Sequence, residues 1–101
     1  MRFGPVLAAA AALLVTTGTA RAADPARGET LARRWCASCH LVAKDQARAT
    51  PDAPSFAAIA RRADAPPLES FLSASHPRMP DMNLSRDEIA DLAAWIRAQA
   101  P

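Results

Sequence analysis

The feature that most constrains the fold of this chain is its pair of cysteines. Cys36 and Cys39 are the only cysteines among 101 residues, two residues separate them, and His40 follows directly. Because two residues lie between the cysteines, one short helical turn can present both sulfurs on the same side. The imidazole of His40 projects from the same turn. Two sulfurs and an imidazole therefore lie together in any fold that this chain adopts.

The first 22 residues have the layout of a secretory signal peptide. Arg2 gives a positive start, residues 6–15 form an uninterrupted apolar run, and Ala20-Arg21-Ala22 is an A-x-A cleavage site. A helical span of a membrane needs about 20 apolar residues, so this run is too short to serve as an anchor. We expect cleavage after Ala22 or Ala23, export to the periplasm, and one mature domain formed by residues 23–101.

Residues 23–101 contain few large apolar side chains with which to form a core. They contain 16 large apolar side chains beside 19 alanines, and their 10 basic and 10 acidic side chains balance. The net charge of +2 therefore belongs to the N-terminal segment, and the scattered basic residues do not suggest a nucleic-acid partner. A domain of this size commonly needs a disulfide, a metal or a cofactor to complete its core.

The secondary-structure signals after residue 23 are helical, and no stretch alternates as a strand does. Residues 41–54 have the composition of a loop. Capping residues or prolines mark four helix starts, at Asp24-Pro25, Ser55, Pro66-Pro67, and Ser85 with Glu88 as a capping box. In the last helix one apolar face is formed by Ile89, Leu92, Ala93 and Ile96, with Trp95 beside it. The pattern predicts an all-α domain of short helices.

Four interpretations compete for the C-x-x-C-H segment. Cys36 and Cys39 could form a structural disulfide in an oxidising compartment. A thioredoxin-like pair needs a strand before its helix, and a zinc site needs four ligands, which one cysteine pair does not supply. C-x-x-C-H is also the attachment sequence of c-type haem, in which both sulfurs form thioethers and the histidine binds iron from the proximal face. Export, helical structure and a small core together favour one covalently attached haem.

A haem iron bound by His40 needs a ligand on its opposite face. Met79 lies between Arg78 and Pro80, before the last helix, and the adjacent proline restricts the backbone that would hold its sulfur. A thioether favours the reduced iron relative to a second imidazole. We predict Met79 as the distal ligand, with Met82 as the second candidate and His76 as the third.

With these residues identified, the chain resembles a small class I monohaem cytochrome c over nearly all of residues 23–101. The resemblance rests on a helix leading into the C-x-x-C-H segment and on a closing pattern formed by Met79-Pro80, Leu84-Ser85, Glu88-Ile89, Leu92-Ala93 and Trp95-Ile96. It implies a cytochrome c-like fold of short helices around one haem. It also implies that the first and last helices cross closely, which would explain Gly28, a helical glycine that we expect to face Trp95.

The resemblance also implies residues around the haem. A proline carbonyl in the loop after the motif accepts the Nδ1 hydrogen of the proximal histidine in this family, and Pro54 is our candidate, with Pro51 as the alternative. Residues expected to line the pocket are Phe56, Ile59, Leu68, Phe71 and Leu72, and Trp95 is also placed at the cofactor.

No group in this sequence is arranged as an acid, a base or a nucleophile, so we expect an electron carrier rather than an enzyme. Two alternatives stay open, an electron-accepting haem subunit of a periplasmic dehydrogenase or oxidase complex, and a haem protein that binds a small ligand. Redox proteins are the expected partners, and we expect a monomer or a subunit of a redox complex, with no stable membrane insertion. Lys44 is the only lysine, so docking is expected through a mostly apolar patch of Ala37, Pro80 and Met82.

Overall fold

The structure is a computed structural model that describes residues 1–18, 21–62, 66–74 and 76–101. Within these ranges the regular structure consists of four helices and no strand. The helices are α1 (Pro25–Trp35), α2 (Phe56–Ala60), α3 (Leu68–Ser73) and α4 (Arg86–Ala98). The prediction of an all-α domain with a loop over residues 41–54 is confirmed.

The helices begin where the capping residues predict. The Asp24 carboxylate accepts hydrogen bonds from the first turn of α1, and Ser55 accepts from the Ala58 N–H of α2. Pro67 directly precedes α3. Ser85 and Glu88 form both bonds of the capping box at the start of α4, so each satisfies a backbone donor of the other.

Helix α4 is the element on which the others pack. Among the described helices, α1, α2 and α3 each contact α4, and the contact between α1 and α4 is the most extensive. The α4 face that the sequence predicts is buried, with Ile89, Leu92, Ala93 and Ile96 each at most 9% exposed. The core therefore forms around α4, and the three shorter helices α1, α2 and α3 pack against it.

Gly28 is the point at which α1 and α4 approach most closely. A Cβ atom built on Gly28 would lie 2.8 Å from the Cβ of Trp95 and 2.6 Å from the carbonyl carbon of Asp91. The predicted approach of Trp95 is confirmed, although the nearest atoms belong to the Asp91 backbone. Because backbone cannot move aside as a flexible side chain can, only glycine fits this crossing.

The N-terminal segment lies outside the helical core. Residues 1–18 form no helix and are exposed, including the large apolar side chains of the run over residues 6–15. Ala20 of the predicted cleavage site lies outside the described residues. In the part of the chain that is described, no helix combines the length and the apolar character that crossing a membrane requires.

Candidate haem site

The C-x-x-C-H segment continues the turn at the end of α1. The Cys36 N–H donates to Ala32 O (2.8 Å), the Cys39 N–H donates to Cys36 O (3.1 Å), and the His40 N–H also donates to Cys36 O (2.8 Å). Both cysteines are free thiols, with Cys36 buried and Cys39 exposed. The turn therefore offers one sulfur from inside the domain and one from its surface.

The Cys36 thiol does not have the character of a catalytic redox cysteine. Burial, with a smaller contribution from Cys39, raises the pKa of the Cys36 thiol to about 11. Reactive C-x-x-C pairs depend on a thiol whose pKa is lowered, so that a thiolate forms near neutral pH. The environment of Cys36 opposes the thioredoxin-like interpretation of this segment.

The imidazole of His40 is held in one tautomer. Its Nδ1 lies 2.6 Å from the carbonyl oxygen of Pro54. A carbonyl can only accept, so Nδ1 carries the hydrogen and the lone pair of Nε2 is left for a metal. The Phe56 ring lies 5.6 Å from the imidazole, centroid to centroid, and adds an apolar contact. Of the two prolines considered, the structure brings the carbonyl of Pro54 to His40.

Gln46 also holds the backbone at this site, and sequence reasoning did not identify it. Its Nε2 lies 2.9 Å from Ala37 O and 2.8 Å from His40 O, and its Oε1 accepts from the Val42 N–H at 3.0 Å. The carbonyl of Val42 in turn accepts the indole N–H of Trp95 (2.9 Å). One polar side chain thereby joins the C-x-x-C-H turn to the loop that follows it.

Two adjoining cavities share Cys36, His40 and Met79. The outer one has a volume of about 310 Å³, which is within the range of small-molecule and cofactor sites. Its further lining includes Cys39, Pro54, Arg78, Pro80 and Met82. The inner one is walled by apolar side chains, namely Phe56, Ile59, Leu68, Phe71, Leu72, Leu92 and Ile96. Every residue predicted for the apolar pocket therefore meets the motif histidine in one place.

The three candidates for the distal ligand occupy different positions. Met79 lines both cavities, whereas Met82 lines only the outer one and also packs against the core. His76 lines neither of them, because its ring stacks on Phe71 with centroids 3.5 Å apart and its Nε2 bonds to the Phe71 carbonyl. Of the three, only Met79 lines both of the cavities that His40 also lines.

The segment that carries Met79 is bracketed by unusual backbone. Arg78 has φ of 71° and Asn83 has φ of 48°, and neither is a glycine. Left-handed backbone is uncommon outside glycine, and asparagine tolerates it better than arginine does. Asp81 supports this turn by accepting the Asn83 N–H at 3.0 Å. Left-handed residues therefore lie directly before Met79 and directly after Met82.

The residues present fit a covalently attached haem. Two thiols on one turn, an imidazole with a free Nε2 and a thioether surround one space with apolar walls, which is the donor set of a c-type site. Trp95 is the exception among the predicted residues, because it lies in the helix crossing and lines neither cavity. Ala37 likewise packs against the core and does not line the cavity mouth.

Comparisons with known proteins identify relatives of this chain. Residues 23–96 match the family described as cytochrome c oxidase, cbb3-type, subunit III. The chain is 49% identical over 92 residues to cytochrome c-552 of Bradyrhizobium diazoefficiens, covering 89% of this chain and 88% of that protein. No solved structure matches this sequence. The chain therefore belongs to this family of c-type cytochrome domains, and it is a small monohaem cytochrome c that transfers electrons and is not an enzyme.

Proposed function

We propose that this chain is exported to the periplasm and carries single electrons on one haem, attached at Cys36 and Cys39 and bound through its iron by His40 and Met79. The main support for this proposal is that Met79 lines both of the cavities that His40 also lines. The Pro54 carbonyl binds Nδ1 of His40, which leaves Nε2 available for the iron. A covalent haem supplies an Fe(II)/Fe(III) couple at this place.

The surrounding residues suit electron transfer rather than substrate chemistry. If His40 and Met79 both bind the iron, as proposed, no coordination position is left for other molecules. The apolar inner wall, which includes Phe56, Leu92 and Ile96, excludes water and limits the rearrangement that follows a change of charge. The outer cavity opens near the exposed Cys39, which gives electrons a short way out of the domain.

Export is supported by how the N-terminal segment relates to the core. The apolar side chains of residues 6–15 are exposed rather than packed against the helices, as expected of a segment that the mature fold does not use. The family match also begins at residue 23, directly after the proposed cleavage site. Mass spectrometry of protein recovered from the periplasm should find a chain that begins at Ala23 or Asp24.

The ligand set is tested by spectroscopy of the protein matured with haem-attachment machinery. A pyridine haemochrome spectrum should show a haem with two thioether bonds. The oxidised protein should show the weak long-wavelength band of methionine–iron coordination, and Met79→Ala should abolish it. Met82→Ala and His76→Ala are the matched controls and should retain it. Loss of the band in Met82→Ala alone, or its absence from the unsubstituted protein, would contradict the proposed ligand.

Carbon monoxide separates the carrier from a small-ligand-binding protein. The reduced unsubstituted protein should bind carbon monoxide slowly, since Met79 must first leave the iron, whereas Met79→Ala should bind it rapidly. Rapid binding by both proteins would instead support the small-ligand-binding alternative.

A second candidate function is that of a haem subunit in an oxidase complex, which the family description favours. The coverage of nearly all of a named cytochrome c-552 favours a free carrier. Size-exclusion chromatography of periplasmic and solubilised membrane fractions, followed by haem staining, distinguishes them. A free carrier elutes at the mass of one chain, and a subunit elutes with the complex.

A further inference from the structure

Asp91 is the buried charged side chain of the described residues, with 2% of its surface exposed. It lies on α4 at the crossing with α1, where its backbone meets Gly28. Its Oδ1 accepts the Asp24 N–H at 2.7 Å, and its Oδ2 accepts from Arg21 Nη2 at 2.9 Å. A buried carboxylate is stable only when it is hydrogen-bonded and paired with a cation, so both contacts matter to the fold.

The cation at this carboxylate belongs to the segment that we propose is removed. Cleavage after Ala22 takes away Arg21, which also pairs with Asp87 at 3.2 Å. The other charged side chains around the site are Asp24 and Arg27 on the side of α1 and Asp87 and Glu88 on α4. The Arg27 guanidinium lies 3.4 Å from the Asp24 carboxylate rather than on Asp91. Maturation would therefore remove the cation that is bonded to a buried charge.

The same cleavage creates a new cation next to the site. The α-amino group of a mature chain beginning at Ala23 is one residue from the Asp24 nitrogen, and one residue spans at most about 3.6 Å. The Asp24 nitrogen already lies 2.7 Å from Asp91 Oδ1. The new ammonium is therefore within reach of the carboxylate oxygen that Arg21 leaves.

We propose that Asp91 is the binding site for the α-ammonium of the mature chain, which replaces Arg21 on the carboxylate when the leader is removed. This inference rests on the proposed export. Arg21 pairs with the carboxylate in the precursor, and the new terminus pairs with it in the mature protein, so the helix crossing keeps a compensated charge in both forms. Cleavage after Ala23 would place the ammonium on the Asp24 nitrogen itself, beside Oδ1.

Amine labelling of the matured haem protein tests this pairing. The mature chain has two kinds of amine, its α-amine and the exposed Lys44, which serves as an internal reference. At pH 7 the α-amine should react with an acylating reagent about tenfold more slowly, relative to Lys44, than it does in Asp91→Asn, because pairing keeps it protonated. Asp87→Asn is the matched control and should label as the unsubstituted protein does. Asparagine can still accept the Asp24 N–H, so Asp91→Asn should fold.

The pH dependence of the melting temperature gives an independent readout. A paired α-amine has a pKa above the ordinary value of about 8, so its stabilisation is complete below that value and is lost as pH rises through the raised one. The unsubstituted protein should melt about 5 °C above Asp91→Asn at pH 7, and this gap should narrow above about pH 9. A gap that stays constant up to pH 10 would overturn the proposal.

Mass spectrometry separates this inference from the export on which it rests. A chain that begins at Ala23 or Asp24 and has a protected α-amine supports both. A chain that begins there but labels at the same rate in Asp91→Asn overturns only the Asp91 site. A chain that still begins at Met1 overturns the export proposal and this inference together, while the spectroscopic test of the haem ligands is unaffected.

Discussion

Single atoms decide where the two longest helices can cross. The intrinsic preference of a helix interior favours alanine over glycine by about 1 kcal/mol, yet α1 carries a glycine at position 28. A Cβ atom on Gly28 would overlap the backbone of Asp91 and the Cβ of Trp95. The packing requirement therefore overrides the local preference at this residue.

Whether Gly28→Ala raises or lowers the free energy of unfolding tests which of the two effects, packing or helix preference, is larger. Gly28→Ala should lower the free energy of unfolding by about 3 kcal/mol, because the methyl group must push two helix backbones apart and the gain in helix preference is smaller. Ala26→Val, on the exposed side of the same helix, is the control and should change it by less than about 1 kcal/mol. Urea unfolding of the haem protein measures both. A more stable Gly28→Ala protein would mean that the helices do not cross here.

Gln46 carries a prediction of the same kind. Gln46→Met keeps the size of the side chain but leaves the carbonyls of Ala37 and His40 and the Val42 N–H without their amide partner. Loss of several partly buried hydrogen bonds should cost about 2 kcal/mol or more of unfolding free energy. The reduction potential should also shift, since the backbone of His40 is no longer fixed.

Gln99→Met is the matched control, because among the described residues the Gln99 side chain donates only to the Trp95 carbonyl, near the C-terminus of α4. It should cost less than about 1 kcal/mol and leave the reduction potential unchanged. Equal effects of the two substitutions would show that Gln46 supports the fold generally and does not position the proximal histidine.

At the level of elements, the helices were predictable from sequence because their signals are local. Asp24, Ser55 and the Ser85–Glu88 box each act within four residues, and the apolar face of α4 repeats within one helix. The role of Gln46 was not predictable in this way. Its bonds connect a turn and a loop whose spatial relation depends on the whole fold, and a lone glutamine in a polar loop carries no pattern.

The haem site likewise contains features that the sequence predicts and features that depend on the whole fold. The attachment turn follows from a short motif and the His40–Pro54 contact from the family resemblance, whereas the position of Trp95 follows from neither. Its placement at the cofactor stays a prediction; in the structure the indole N–H donates to the Val42 carbonyl and the Cβ of Trp95 borders Gly28. An aromatic residue beside an apolar helix face can turn toward either neighbour, and only the helix crossing decides which.

Helix α3 is joined to α4 by a charged pair with a defined pH dependence. Arg97 bonds both carboxylate oxygens of Glu69, and these bonds lower the pKa of Glu69 to about 2. A lowered carboxyl pKa stabilises the fold above the ordinary value and loses this effect as pH falls through the lowered one. Because both side chains are about half exposed, the pair should contribute less than about 1 kcal/mol.

A double-mutant cycle on Glu69→Gln and Arg97→Gln checks this. The coupling between the two residues should be constant above about pH 5 and should disappear near pH 2, as the carboxyl becomes protonated. Thermal unfolding of the four proteins across this range gives the coupling. A coupling that persists when Glu69 is protonated would mean that the pair acts through packing of its side chains rather than through charge.

At the level of the whole molecule, the charged side chains of the described residues do not form a basic ring around the cavity mouth. Residues 23–101 are formally neutral, and the charged side chains of the outer cavity are Arg78 and Asp52, one of each sign, apart from the motif histidine. Lys44 lies at a different groove, beside Gln46 and Gln99. Pro77 and Pro80 add apolar surface at the mouth. A partner that approaches here meets little net charge.

Electron transfer through this mouth should therefore depend weakly on salt. The oxidation rate of the reduced protein by a small anionic or a small cationic oxidant should change less than about threefold between 10 and 300 mM ionic strength, because no single-sign field steers either one. Arg78→Glu should introduce a clear salt dependence of opposite sign for the two oxidants. Lys44→Glu makes the same change of net charge away from the mouth and should introduce much less, so equal effects of these two variants would place the electron's exit elsewhere on the surface.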